Sequence, residues 1–146
     1  MNLITQLRRE EGVSRHAYQD HLGFWTIGVG RLIDQRKGGG LSDEEVDYLL
    51  RNDVNRFTSA VLKELPWAAT LNEPRLAVLI GMAFQMGVGD AEKGTGLLGF
   101  KQTLAAIRDE RYAHAAGLML QSLWARQTPA RARRMALQIE TGEWQA

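Results

Sequence analysis

Residues 42–65 carry the pattern that most restricts how this chain can fold. Ser42-Asp43-Glu44-Glu45 has the capping-box form, a serine followed three residues later by a glutamate, which marks the start of a helix. Val46, Leu49, Leu50, Val54, Phe57, Val61 and Leu65 then recur at helical spacing until Pro66. Some two dozen residues at 1.5 Å each make a rod about 35 Å long. A rod of that length is a natural connector between a small N-terminal lobe and a helical remainder. A simple core helix fits the same pattern, and the two readings are compatible.

Upstream of the rod the periodicity changes. Leu3, Ile4 and Leu7 predict a short amphipathic helix, with Asn2 as N-cap and Gly12 as its stop. Glu11 then sits in the last turn, where the helix dipole favours cations and so disfavours an ionised carboxylate. Phe24-Trp25-Thr26-Ile27-Gly28-Val29-Gly30 is aromatic, β-branched and glycine-punctuated, and predicts strands and tight turns. Asp20-His21-Leu22-Gly23 forms the bend of a hairpin between Tyr18 and Phe24, and Arg31-Leu32-Ile33 predicts a third strand. Singly, Glu11, Asp20 and Thr26 each have a local explanation: a solvated glutamate, a turn aspartate, a strand threonine.

Downstream, Asn72 caps a helix with Pro74 in its first turn, and residues 77–84 are apolar all round, as at the centre of a bundle. Gly87 to Gly96 reads as a flexible surface insertion. Phe100–Ile107 and Tyr112–Leu120 predict two short helices; Thr128 and Pro129 open a last one, which Gly142 stops. The fold class is α+β and mostly helical.

At 146 residues the chain has the size of one domain and needs neither metal nor disulfide to bury a core. With no cysteine there is no thiol chemistry, and His16, His21 and His114 lack the spacing of metal ligands, so neither metal nor cofactor is expected. No nucleophile elbow supports a serine triad, and Gly28-x-Gly30 and Lys37-Gly38-Gly39-Gly40 are not nucleotide motifs. Eighteen basic against 17 acidic residues leave a net charge of +1. The run Arg126, Arg131, Arg133, Arg134 lacks interleaved aromatics, so nucleic acid is not expected as a partner. The longest apolar run, Leu76 to Phe84, falls short of the roughly 18 residues of a membrane span. The first residues lack the apolar core of a signal peptide, so synthesis in the cytoplasm without stable membrane insertion is expected.

Taken together, Leu-Arg-Arg-Glu-Glu-Gly (7–12), Tyr-Gln-Asp (18–20) and Gly-Phe-Trp-Thr-Ile-Gly-Val-Gly (23–30) resemble the phage-type lysozymes, the T4-lysozyme-like glycoside hydrolases. Phe-Gln-Met-Gly (84–87), Gly-Phe (99–100), Trp-Ala-Arg-Gln-Thr-Pro-Ala-Arg-Ala-Arg-Arg (124–134) and Thr-Gly-Glu-Trp (141–144) follow in family order, so the resemblance spans nearly the whole chain. It implies a single lysozyme-like domain over residues 1–146 with two lobes. The N-terminal lobe, about 12–65, holds a small antiparallel sheet, and the long helix connects it to a helical C-terminal lobe, about 66–146. The first helix is expected to pack on the C-terminal lobe.

The resemblance also implies an endolysin, a muramidase cutting the β-1,4 bond between N-acetylmuramic acid and N-acetylglucosamine in peptidoglycan. Glu11 is then the general acid, with Asp20 and Thr26 positioning an attacking water. That is an inverting arrangement, for which carboxyl groups about 6.5–9.5 Å apart are expected. Leu32, Phe84 and Thr103 fall on family substrate-contact positions, and Arg131 on a supporting one near Glu11, where its charge favours the ionised acid. Leu118 stands where the relative carries asparagine, and Arg31 where it carries histidine. Trp124 and Trp144 match family tryptophans that pack the helical lobe, so the resemblance implies that both lie in the core. The protein is expected to be a monomer that reaches the periplasmic wall through a holin or equivalent. Two alternatives remain beside this: a glycan-binding module without catalysis, and an interbacterial cell-wall toxin using the same chemistry.

Overall fold

A computed structural model describes residues 2–146 of the chain, which divides into two compact units, Met1–Leu49 and Leu50–Ala146. The architecture is α+β and mostly helical, with one three-stranded antiparallel sheet, as the sequence predicts.

In the first unit, α1 (Leu3–Glu11) begins at Asn2, whose Oδ1 accepts the Thr5 N–H at 3.0 Å, and it stops at Gly12. Three strands follow, β1 (Ser14–Gln19), β2 (Trp25–Gly28) and β3 (Arg31–Leu32), in the order β1-β2-β3. Tyr18 pairs with Thr26 across β1 and β2, and Thr26 with Leu32 across β2 and β3. The register shifts between Ser14 and Tyr18, the mark of a bulge. A short 3-10 turn, Gln35–Lys37, follows β3 and is capped by Asp34.

The long helix α2 spans Asp43–Glu64, in agreement with the stripe, and the division between the units falls inside it. Half of its capping box forms: Ser42 Oγ accepts the Glu45 N–H at 3.2 Å. The Glu45 carboxylate pairs with Arg31 instead of the cap. Arg31 holds the Glu45 carboxyl below its ordinary range. The stripe is buried only at its C-terminal end. Val61 is fully buried, while Val46, Leu49, Leu50 and Val54 are all at least 40% exposed.

The second unit packs around α3 (Glu73–Met86), whose Val78, Leu79, Met82 and Ala83 are buried. Leu97, Ile107, Met119 and Ile139, drawn from the chain that follows, complete this core. Each such side chain contributes about 1.5–3 kcal/mol when removed from water. The remaining helices are α4 (Lys101–Arg108), α5 (Tyr112–Leu120), α6 (Leu123–Gln127) and α7 (Pro129–Thr141). The start of α3 and the end of α7 are stitched together. Asn72 caps α3 through Oδ1 and donates from Nδ2 to the Gly142 carbonyl (2.9 Å), while Arg75 donates to the Ile139 and Glu140 carbonyls (2.7 and 3.0 Å). The Ile139 and Glu140 carbonyls belong to the last turn of α7, which has no intrahelical donors for them.

Three details differ from expectation. Thr128 does not cap α7; its hydroxyl donates back to the Trp124 carbonyl at 3.0 Å, closing the five-residue α6 that the sequence pattern does not announce. Trp124 is buried, donating to Gln85 Oε1 at 3.0 Å, but Trp144 is 60% exposed. The 87–96 loop is a closed turn: Asp90 and Thr95 exchange backbone hydrogen bonds, and Asp90 Oδ1 accepts the Glu92 and Lys93 N–H groups. Its glycines serve close approach, since a Cβ on Gly89 would lie 1.9 Å from the Thr95 carbonyl oxygen.

Candidate active site

Glu11, Asp20 and Thr26 all lie in the Met1–Leu49 unit. Glu11 is the final residue of α1 and is exposed. Its carboxyl rests against the turn between β2 and β3: a Cβ built on Gly30 would stand 3.0 Å from Glu11 Oε2. Gly30 has φ +67°, a conformation side chains rarely adopt. Glycine is required there twice, once by the turn and once by the acid lying over it.

Asp20 occupies the bend that connects β1 to β2. Its Oδ1 accepts two backbone N–H groups, from Leu22 and Phe24, both at 2.9 Å. That turn is a local property of aspartate, and it holds the side chain in one orientation while leaving Oδ2 without a protein partner among the described residues. Thr26 sits in the central strand and is 5% exposed. Its hydroxyl donates to the Phe24 carbonyl at 3.0 Å, so what remains on that oxygen can only accept. Tyr18 and Leu32 are its direct neighbours across the sheet, and residues directly opposite share a face. Leu32 therefore lies beside Thr26 on the sheet.

Bonded to the hairpin is a feature the sequence reading did not single out. Asp34, 4% exposed, accepts the Trp25 N–H (3.2 Å), the Arg36 N–H (2.9 Å) and two guanidinium N–H groups of Arg36 (2.9 and 2.7 Å). The guanidinium first, and then the two backbone donors, hold its carboxyl well below the usual carboxylate range against the opposing effect of burial. Arg36 reaches on to the Gly23 carbonyl at 3.2 Å and lies over the Phe24 ring, as does Lys37. Asp followed two residues later by Arg after a strand is a weak signal of a capped turn; nothing in it points to residues 23–25.

The other singled-out residues lie in the second unit. Thr103 is buried on α4 and lines a recess of about 360 Å³ with Lys101, Gln102, Leu118 and Ser122. Leu118 lines the same recess as Thr103 and adds no polar group to it. Phe84, 45% exposed, borders a separate apolar recess of about 430 Å³ with Ile80, Leu50, Val54 and Trp144. Arg131 is exposed on α7 and makes no ion pair among the described residues. Among the described residues no cluster of histidines and carboxylates could hold a metal ion, and no helix is long and apolar enough to cross a membrane.

Comparison with known proteins places these observations. A family model described as phage lysozyme matches residues 8–130. The chain is 29% identical to a probable T4-type lysozyme 1 of Dictyostelium discoideum, with 97% of this chain and 95% of that protein aligned. It is 31% identical to the pre-baseplate central spike protein Gp5 of Enterobacteria phage T4, where 97% of this chain matches 28% of the larger protein. An endolysin of Salmonella phage P22 is 33% identical, over 59% of this chain and 61% of that one.

Proposed function

This chain belongs to the phage lysozyme family, and on that premise we propose that it is a peptidoglycan hydrolase cutting the β-1,4 bond between N-acetylmuramic acid and N-acetylglucosamine. Three groups suited to that reaction occur in one small unit, and this observation carries the reading. Glu11 supplies the proton to the glycosidic oxygen as the bond from C1 breaks. A water held between Asp20 and Thr26 attacks C1 from the opposite face and gives up its proton to Asp20.

The hydrogen bonds of the hairpin support these roles. Asp20 Oδ1 is committed to the backbone, so Oδ2 is the oxygen that meets the water. The Thr26 proton is committed to the Phe24 carbonyl, so its oxygen accepts from the water. A water donating to both presents its lone pair outward, towards the sugar. Positioned proton transfer is worth roughly 10²–10⁴ in rate.

The test uses purified peptidoglycan digested in ¹⁸O water. Mass analysis is expected to show one ¹⁸O at the new reducing end of each cut strand, with activity lost in Glu11→Gln. Anhydro-sugar ends would replace hydrolysis by a transglycosylase reaction. Full lysis by Glu11→Gln, or glycan retention by the wild type without cutting, would overturn the assignment.

A further inference from the structure

The buried carboxylate of Asp34 takes no part in the proposed chemistry, yet its bonds to Trp25 and to the Arg36 guanidinium lead towards the residues that do. Its partner N–H on Trp25 belongs to the Phe24–Trp25 peptide, which is a rigid plane. The carbonyl on the other side of that plane, Phe24 C=O, accepts both the Asp20 N–H (2.9 Å) and the Thr26 hydroxyl (3.0 Å). Because the plane is rigid and trans, the N–H cannot shift without carrying the carbonyl with it.

The neighbouring bonds converge on the same peptide. The Phe24 N–H donates to Asp20 Oδ1, and the Trp25 carbonyl accepts the Ile33 N–H at 2.9 Å. Arg36 bridges Asp34 to the Gly23 carbonyl and covers the Phe24 ring, its charge 5.1 Å from the ring centre. A buried charge is costly unless fully paired. A neutral cap such as serine or asparagine would have sufficed for the 3-10 turn alone.

We propose that Asp34 and Arg36 are positioning residues: by holding residues 23–25, they set the Phe24–Trp25 peptide on which Asp20 and Thr26 are hung. The inference rests on the hydrolase reading for its catalytic consequence, but not for its structural one. Asp34→Asn keeps the shape and removes the charge; Arg36→Gln, at an exposed side chain, tests the same link with less risk to folding. Lysine at 36 keeps a charge beside Asp34 but cannot reach both its oxygens and Gly23 together.

Two measurements decide it, each made where circular dichroism shows the variants fully folded. On soluble glycan strands, kcat should fall on the order of ten-fold or more in Asp34→Asn and Arg36→Gln, with KM within about two-fold, because misplacement costs rate rather than binding. Arg36→Lys should recover part of the loss. By amide hydrogen exchange, Leu22 and Phe24, the two donors to Asp20 Oδ1, should exchange on the order of ten-fold faster in both damaging variants. Unchanged kcat, or Leu22 and Phe24 protected as in the wild type, overturns the proposal. Absence of cutting by the wild type would strike the hydrolase reading instead, and the exchange arm would still decide whether Asp34 and Arg36 hold Asp20 in place.

Discussion

At the scale of single residues, the site depends on positions where two demands coincide. Gly30 must take φ +67° and must leave room for the Glu11 carboxyl. Gly30→Ala is expected to cost about 1–2 kcal/mol from the left-handed backbone alone. Its methyl would also push the acid aside, so release of reducing ends should fall by on the order of ten-fold or more. A variant destabilised in urea but cutting at the wild-type rate would show that Glu11 does not depend on that turn. Asp34 gives a pH signature. Its folded pKa is depressed by Arg36 and two backbone donors, so between that value and the unfolded value, about 3.9, the unfolded chain binds more protons. The stability it contributes is complete above the unfolded value and is lost as pH falls through the folded one. The gap in Tm between wild type and Asp34→Asn should therefore be widest above about pH 5 and should narrow on acidification. A gap that stays constant to pH 2.5 would remove the ion pair as its source.

At the scale of elements, side chains decide where helices end and what their ends touch. Asn72 shows this most directly, capping α3 with one atom and holding the Gly142 carbonyl beyond α7 with another. Asn72→Ala should cost about 1–2 kcal/mol in urea unfolding, and Asn72→Asp, which keeps the cap but loses the donor, less. Equal losses in the two variants would mean that the cap contributes nothing. The cap at Asn72 was legible because capping depends on residues three apart in sequence. The bond to Gly142 was not, because its partner lies 70 residues away. Thr128 illustrates the opposite case: its type suits an N-cap, but a helix ending just before it offered the Trp124 carbonyl first.

At the scale of the molecule, apolar burial is unevenly shared. Among the described residues, every apolar side chain in the buried core belongs to Leu50–Ala146, while the buried residues of Met1–Leu49 are Thr26 and Asp34. The unit that carries Glu11, Asp20 and Thr26 has apolar side chains that are at most partly buried, among them Phe24, Ile27 and Ile33, and so leans more on hydrogen bonds and ion pairs, which contribute little net stability each. Native-state hydrogen exchange should find α3, α5 and α7 opening only with global unfolding, and residues 14–32 opening at lower free energy. Equal protection in both units would contradict this account.

The sequence by itself determined whatever depends on short spacing. This includes the reach of α2 from its capping box to Pro66, the caps at Asn2 and Asn72, the hairpin with Asp20 at its bend, and the family, whose motifs run in order along the chain. Periodicity and turn chemistry act over a few residues, so they can be read there. Tertiary structure alone decided that Trp144 stays exposed, that Glu45 pairs with Arg31 instead of completing its cap, and that Asp34 and Arg36 grip the strand bearing Thr26. Those outcomes join residues that are neighbours only after the chain has folded, and no local pattern encodes which buried donor a carboxylate will find.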